Sequence, residues 1–293
     1  MASTGQSQGS ALVHGMSVDV EDYYQVWALS SVIKREDWDA IAPRVELSTR
    51  RSMDLFAEAG VTATFFTLGC VAERHPQLIR DIVAAGHELG SHGYAHYKVF
   101  EQTDDEFRAD VERTKKTLED ISGAPVNGYR AAGFSINRDN WGAFDILAEA
   151  GHLYSSSLHP IAHDHYGAPD APRFAFHPIE GSDFTEVPVA TVDMLGRRVT
   201  CAGGGFFRLL PYMWTKRCLK KLEREDATPS AFYFHPWEVD PDQPKTPGLS
   251  LKSRVRHYTN LDVMADKLAQ LLKDFRWTRM DEAHGLCGRD AAA

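Results

Sequence analysis

No apolar run in this chain reaches the length of a membrane span, and its start, Met1–Ser10, is small and polar rather than positively charged and then apolar. The first absence argues against a transmembrane helix. The second argues against a secretory signal, so the expectation is a soluble, cytoplasmic protein. Cysteine is scarce as well. Cys70, Cys201, Cys218 and Cys287 are all there are in 293 residues, and none form a C-x-x-C pair. That argues against a cysteine-built zinc site; free thiols suit a reducing compartment. An excess of basic residues is also missing: Lys and Arg number 32 against 41 Asp and Glu, a net charge of -9. Nucleic acid is therefore not an expected partner, since it calls for a basic face. No internal repeat appears, and nothing in the sequence speaks to oligomeric state.

What the chain does have is apolar substance, 43% of its residues, enough for the core of one α/β barrel. Polar tails are expected at 1–10 and 285–293. A single domain is expected over 11–284, with a C-terminal extension from about 240. Within it apolar runs alternate with helical patterns. Strands are expected at Ala11–Val20, Val61–Leu68, His87–His92, Gly128–Arg130, His152–Leu158 and Ser230–Phe234. Helices are expected at Pro43–Ala59, Pro76–Ala85, Thr103–Ile121, Asp139–Ala150, Lys216–Glu225 and Leu261–Asp274. Gly60, Gly86 and Gly151 sit where helices stop, and Thr103 with Glu106 makes a capping box. This rhythm predicts parallel strands with helical crossovers. From Gly167 to Gly205 it breaks down, and short antiparallel strands, Phe184–Val192 among them, are expected there.

Polar residues collect where these strands end. Asp19, Glu21 and Asp22 crowd the end of the first strand. Alternation puts Asp19 and Glu21 on one face and Asp22 elsewhere. His92 and His96, four apart in a glycine-punctuated loop, can share a metal with one of those carboxylates and leave positions open for water and substrate. His87 reads as structural. Arg130 ends a third strand, suited to gripping a carboxylate. His235 leaves the apolar run Ala231–Phe234, just before Pro236 and Trp237, and is placed to donate a proton in an aromatic site. Each feature has an ordinary reading too: a solvated strand end, exposed histidines, a surface ion pair, a core histidine. Their common position favours chemistry, because β/α barrels deliver it from the C-terminal ends of several strands. The same position favours a barrel over an open sheet.

Over about residues 14–240 these features resemble the NodB-homology polysaccharide deacetylases, carbohydrate esterase family 4. The stretch Ala85–His96 is the most specific part. The resemblance implies a distorted (β/α) barrel, with Asp19 as catalytic base and Arg130 orienting it. It also implies His235 as general acid and a metal held by His92, His96 and a carboxylate. That carboxylate is Glu21 or Asp22, since the acids read D-x-E-D. Ala132 stands where the family's motif has Pro. The Asp that partners the acid histidine in many members is replaced near Ser155–Ser157. Segments Gly203–Arg208, His235–Glu238 and His257–Leu261 resemble a narrower branch, deacetylases tied to exosortase-type exopolysaccharide clusters.

The implied reaction is metal-dependent hydrolysis of the N-acetyl group of an N-acetylhexosamine in an exopolysaccharide or its precursor. The expected cofactor is one divalent metal, zinc first, with cobalt, nickel or iron as other occupants of an N/O site. Tyr94, Phe134 and Trp237 are candidates to stack on sugar rings. Two other functions fit the same outline: an amidohydrolase of this fold acting on a small cyclic amide or ureide, and a catalytically silent carbohydrate-binding protein. The intact His92/His96 pair counts against the first, and the base–acid set against the second.

Overall fold

A computed structural model of the chain describes residues 12–163, 167–194 and 196–288. Its strands are β1 (Val13–Val20), β2 (Thr64–Thr67), β3 (Glu88–Ser91), β4 (Gly128–Tyr129), β5 (Tyr154–Ser155), β6 (Thr185–Glu186), β7 (Thr191–Met194), β8 (Arg197–Thr200), β9 (Ala231–Phe234) and β10 (Arg276–Thr278). Its α-helices are α1 (Val45–Ala59), α2 (Gly69–Arg74), α3 (Pro76–Ala84), α4 (Asp104–Ser122), α5 (Ala143–Glu149), α6 (Gly204–Leu209), α7 (Tyr212–Glu225), α8 (Leu251–Tyr258), α9 (Met264–Asp274) and α10 (Met280–Ala283).

β1 is the hub. It pairs in parallel with β2, β9 and β10, and the sheet continues in parallel from β2 through β3, β4 and β5 to β6. Just beyond β6, Val189 bridges Ala231 of β9 in parallel, and the Ala190 N–H donates to the Ala231 carbonyl at 3.0 Å. That contact closes the ring into a distorted (β/α) barrel. Met16, Val18, Phe65, Leu89, Phe232 and Phe234, from four neighbouring strands, share one core with the apolar faces of the surrounding helices.

Local chemistry sets the helix ends. Gly60 terminates α1 in the left-handed region at φ 65°. Pro76 opens α3. Thr103 and Glu106 form the reciprocal cap of α4. Strand ends expected to be longer are trimmed to their paired residues: β5 keeps only Tyr154 and Ser155 of the run His152–Leu158. The helix expected over Asp139–Ala150 is shorter, α5 being preceded by a 3-10 turn at Arg138–Asn140.

One expectation is corrected. Phe184–Val192 is not one antiparallel strand: its first part, β6, joins the parallel sheet beside β5 and meets Phe176 in a single antiparallel bridge at Glu186, and β7 pairs antiparallel with β8. A run of alternating burial cannot reveal that the chain changes sheets midway. The tail expected at 1–10, and 289–293 of the second tail, lie outside the described residues. Leu286 is still buried, in one cluster with Met280, so packing continues past 285.

Gly203 shows how tightly the later helices fit under the barrel. Its φ is +42°, and a Cβ there would stand 1.4 Å from the Tyr233 carbonyl oxygen of β9. Two residues on, Gly205 has open space around its Cβ position. We expect Gly203→Ala to destabilise the fold by about 3 kcal/mol or more through this backbone clash. Gly205→Ala is expected to leave stability unchanged or raise it by up to ~1 kcal/mol. Urea unfolding of the two variants checks the contrast, and equal midpoints would refute it.

Candidate active site

All barrel strands run parallel, so the residues following their last paired positions gather at one end. β1 delivers Asp19, Glu21 and Asp22; β3 delivers His92; β4 delivers Arg130; β9 delivers His235. These ends surround a cleft of about 310 Å³ whose walls include Asp19, Glu21, His92, His96, Phe134 and His235.

Arg130 is fully buried. One guanidinium nitrogen donates to Asp19 Oδ1 at 2.6 Å and to Ser17 Oγ at 2.8 Å. Its Nε and second terminal nitrogen hold the Ser156 carbonyl and hydroxyl at 2.9 and 2.8 Å. The Phe66 ring lies 4.3 Å beneath the guanidinium. Asp19 is therefore a buried carboxylate with a fixed partner and an orientation toward the cleft. The serine run Ser155–Ser157 serves this same side, since Ser157 Oγ also accepts the Ala131 N–H.

Glu21, His92 and His96 bring ligand atoms within 4.8 Å of one another. His92 Nδ1 lies 2.8 Å from the Arg130 carbonyl; donating there leaves Nε2 as the free lone pair. His96 adopts φ 55°, unusual for a non-glycine residue, and presents Nε2 2.9 Å from Glu21 Oε2. That oxygen has no partner in hydrogen-bonding alignment although it is fully buried. Two imidazole nitrogens and an orphaned carboxylate oxygen converging in a buried space fit a divalent cation. Burial pushes Glu21 up, but His96, His235 and His92 more than offset it and hold the carboxyl at about 2. Burial, partly offset by Asp19, lowers His92 to about 4. Both groups thus present the deprotonated forms a metal requires.

Asp22 is not part of this cluster. Its carboxylate accepts the backbone N–H groups of Tyr23, Arg44 and Val45 at 2.7–2.9 Å, tying β1 to the start of α1. Of the two acids expected as the ligand carboxylate, Glu21 is the one whose oxygen converges with His92 and His96. Tyr94 is placed away from the cleft. Its hydroxyl donates to Glu73 at 2.7 Å, and the Arg113 guanidinium lies 3.4 Å over its ring. Trp237 lines the cleft but is only 7% exposed, stacks on both His235 and His257, and directs its N–H to Glu21 at 3.4 Å. It packs between the site's own side chains while still lining the cleft. Phe134, on the wall, packs on Tyr233 at 4.9 Å.

Sequence reasoning missed Glu238. It is fully buried; its Oε2 accepts the His235 backbone N–H at 3.0 Å and lies 3.1 Å from His235 Nδ1. Burial lowers His235, but the bond to Glu238 and the nearby Glu21, Glu238 and Asp19 charges outweigh it and raise the imidazole to about 9. The clue lay in the i,i+3 spacing of HPWE. His87 accepts the Ala63 N–H at 3.1 Å and is structural.

We expect Glu21→Gln and His92→Ala each to weaken zinc binding by roughly 100-fold or more, because both belong to the cluster whose donor atoms converge within 4.8 Å. Asp22→Asn should leave it within a few-fold. Chelator competition monitored by elemental analysis checks this; loss of metal in Asp22→Asn with zinc retained in Glu21→Gln would reverse the assignment.

Comparison with known proteins follows the geometry. The polysaccharide deacetylase family matches residues 38–152, and a domain of unknown function, DUF3473, matches residues 156–284. The second match begins well before the extension expected from about 240. A peptidoglycan-N-acetylglucosamine deacetylase of Bacillus cereus is 33% identical over 75 residues, 26% of this chain and 27% of that protein. A peptidoglycan deacetylase of Helicobacter pylori is 29% identical over 114 residues, 39% of this chain and 38% of that one. The chain thus spans under half the length of these curated relatives. A Mycobacterium smegmatis crystal structure, of a protein named as a polysaccharide deacetylase, shares the fold at 20% identity and a TM-score of 0.64 over 98% of this chain and 93% of that one. With both matches lying along a barrel that gathers Asp19, His92, His96, Arg130 and His235 at one end, the chain belongs to the NodB-homology polysaccharide deacetylases, carbohydrate esterase family 4.

Proposed function

We propose that the protein hydrolyses the N-acetyl group of an N-acetylhexosamine in a glycan. The observation that carries this reading is that Asp19, held by Arg130, lines the same cleft as His235 and the Glu21/His92/His96 cluster. In that cleft Asp19 accepts a proton from the attacking water, and Arg130 keeps its carboxylate aimed. Preorganised charge steadies the tetrahedral oxyanion. His235 delivers a proton from Nε2 to the departing amine. A divalent cation, zinc in this proposal, supplies Lewis acidity toward the acetyl carbonyl and acidifies the water. The relatives' names share a deacetylase activity, on peptidoglycan N-acetylglucosamine in one and chitooligosaccharide in another.

A crystal structure titled Puue allantoinase has the same fold at a TM-score of 0.59 and 17% identity, covering 95% of this chain and 91% of that one. At that identity the likeness carries fold alone, and the buried metal-type cluster here favours the deacetylase reading over a cyclic-amide hydrolase. A silent binding protein would have no use for a buried base–arginine pair.

The finer proposal is that the substrate is an exopolysaccharide precursor, met in the cytoplasm. No helix of the described residues is long and apolar enough to cross a membrane. Residues 243–261 carry Lys245, Lys252, Arg254 and Arg256 and no acid. α8, within that stretch, exposes Leu251 and Val255, and Arg256 and Lys98 line the cleft. A basic, partly apolar helix beside the opening supports a substrate carried at an anionic surface.

We expect Asp19→Asn and His235→Ala each to lower acetate release from a chitin oligomer by roughly 10²–10⁴-fold with metal content unchanged. Near-wild-type turnover in Asp19→Asn would remove it as the base. Acetate release from a lipid-linked oligosaccharide is expected to exceed that from a free oligomer or a nucleotide sugar; preference for the nucleotide sugar would overturn the precursor proposal.

A further inference from the structure

Three sequence-distant segments of the region 156–284 meet behind His235: the last turn of α6, the 3-10 turn Pro236–Val239, and the end of α8. Their side chains form one continuous buried network. Glu238 turns Oε2 to His235 and Oε1 to Arg208, whose Nε donates at 3.0 Å. Arg208 is 1% exposed, and its two terminal guanidinium nitrogens donate to the carbonyls of Thr259 and Arg256. Its own carbonyl accepts from Asn260 Nδ2 at 3.1 Å and Lys267 Nζ at 2.8 Å. Trp237 stacks on the His235 ring at 5.3 Å and is itself stacked by His257 at 4.4 Å. His257 is pinned through Nε2 to Gln243 at 2.7 Å.

We propose that Glu238, clamped by Arg208, is the positioning residue that makes His235 a proton donor, and that building this clamp is what the 156–284 region does for the site. The inference rests on the deacetylase reading above. Glu238 Oε2 lies on the Nδ1 side of the imidazole, so the ring carries one proton there and, as the imidazolium, presents a second on Nε2 to the cleft, 3.6 Å from Glu21 Oε1. No residue of the serine run competes for Nδ1, because Ser156 and Ser157 are engaged with Arg130 and Ala131. A fully buried carboxylate is costly unless its charge and lone pairs are answered. Arg208 answers the charge from behind, and the two α8-end carbonyls hold the arginine in plane. A carboxylate wanted only for packing would have no need of a second buried ion aimed along the same line. During turnover Glu238 moves no proton: His235 loses one from Nε2 to the amine nitrogen as the C–N bond breaks, and Glu238 steadies the ring in both states.

The test separates acid catalysis from general damage by changing the leaving group. Zinc-loaded wild type, Glu238→Gln, Glu238→Asp and Arg208→Lys are assayed on an N-acetylated chitin oligomer, whose amine must be protonated, and on p-nitrophenyl acetate, whose phenolate need not be. Glu238→Gln is expected to lose roughly 10²–10³-fold in kcat on the amide, with KM within about twofold and ester hydrolysis within about threefold. Glu238→Asp and Arg208→Lys are expected to fall between. Equal losses on both substrates, or an unchanged amide kcat, overturn the proposal. Nitrogen-15 spectra of the His235 ring give a readout independent of turnover. A hydrogen-bonded Nδ1 proton is expected in wild type and Glu238→Asp and absent in Glu238→Gln. Its absence from wild type also overturns the proposal. A wild type that cleaves no amide but retains that proton signal defeats the deacetylase reading while leaving the Glu238 clamp supported.

Discussion

A guanidinium buried at the centre of a barrel needs a partner at each of its nitrogens, and Arg130 finds them by drawing on separate parts of the chain at once. Asp19 and Ser17 come from β1, Ser156 follows β5, and Phe66 of β2 supplies the ring beneath. Ser17 in turn donates to the Phe232 carbonyl of β9 at 2.8 Å. The consequence is reciprocal. Removing one partner of a buried ion pair leaves the other uncompensated, at about 3–5 kcal/mol, so the site's geometry and the register of its strands stand together. The Asp19 carboxylate is consequently held in place by the fold itself rather than by a mobile loop.

Charge across the cleft follows from the same economy. Two carboxylates, Asp19 and Glu21, enter from one strand with only one side chain between them, and each is answered differently: Asp19 by a permanent cation, Glu21 by imidazoles. Glu21 Oε2 lies 2.9 Å from His96 Nε2 yet outside hydrogen-bonding alignment. A buried carboxylate oxygen so placed beside two imidazoles is the feature that suits this cluster to a cation. Asp22 shows the contrast one residue later. Its oxygens are satisfied by backbone N–H groups of the turn and of α1, and burial still pushes its carboxyl up to about 6.

The sequence made the strand-end residues legible because parallel strands convert chain position into spatial position. Once β1, β3, β4 and β9 are recognised as strands, Asp19, His92, Arg130 and His235 must share an end, whatever the loops do. Face alternation likewise separated Glu21 from Asp22. What could not be read were contacts that depend on how loops fold back. Tyr94 follows His92 by two residues, yet the chain turns through Gly93 at φ 74° and sends the ring between α2 and α4. Trp237 follows His235 by two residues as well, and the 3-10 turn folds it onto its neighbour's ring. β6 was misread because local alternation does not encode which sheet a short strand joins. Glu238 was missed because a carboxylate three residues after a histidine reads equally well as a helix cap, which it also is.

These outcomes divide the site along the chain. The residues proposed for base and metal duties come from the first 130 positions, the ones nearest the polysaccharide deacetylase match, and they are braced by serines just beyond it. His235 and the Glu238–Arg208 pair behind it come from the later region. The two sets meet only because β9 pairs with β1 across the barrel, Ser17 opposite Tyr233 and Val18 opposite Phe234. A register slip of one residue there would turn His235 to the opposite face of the sheet. Gly203 passing under the Tyr233 carbonyl, and Arg208 five residues further on reaching Glu238, hold β9 from below and from behind. The glycine run and the distant arginine therefore serve one end, which is to keep the last barrel strand in the single register that puts His235 beside Glu21.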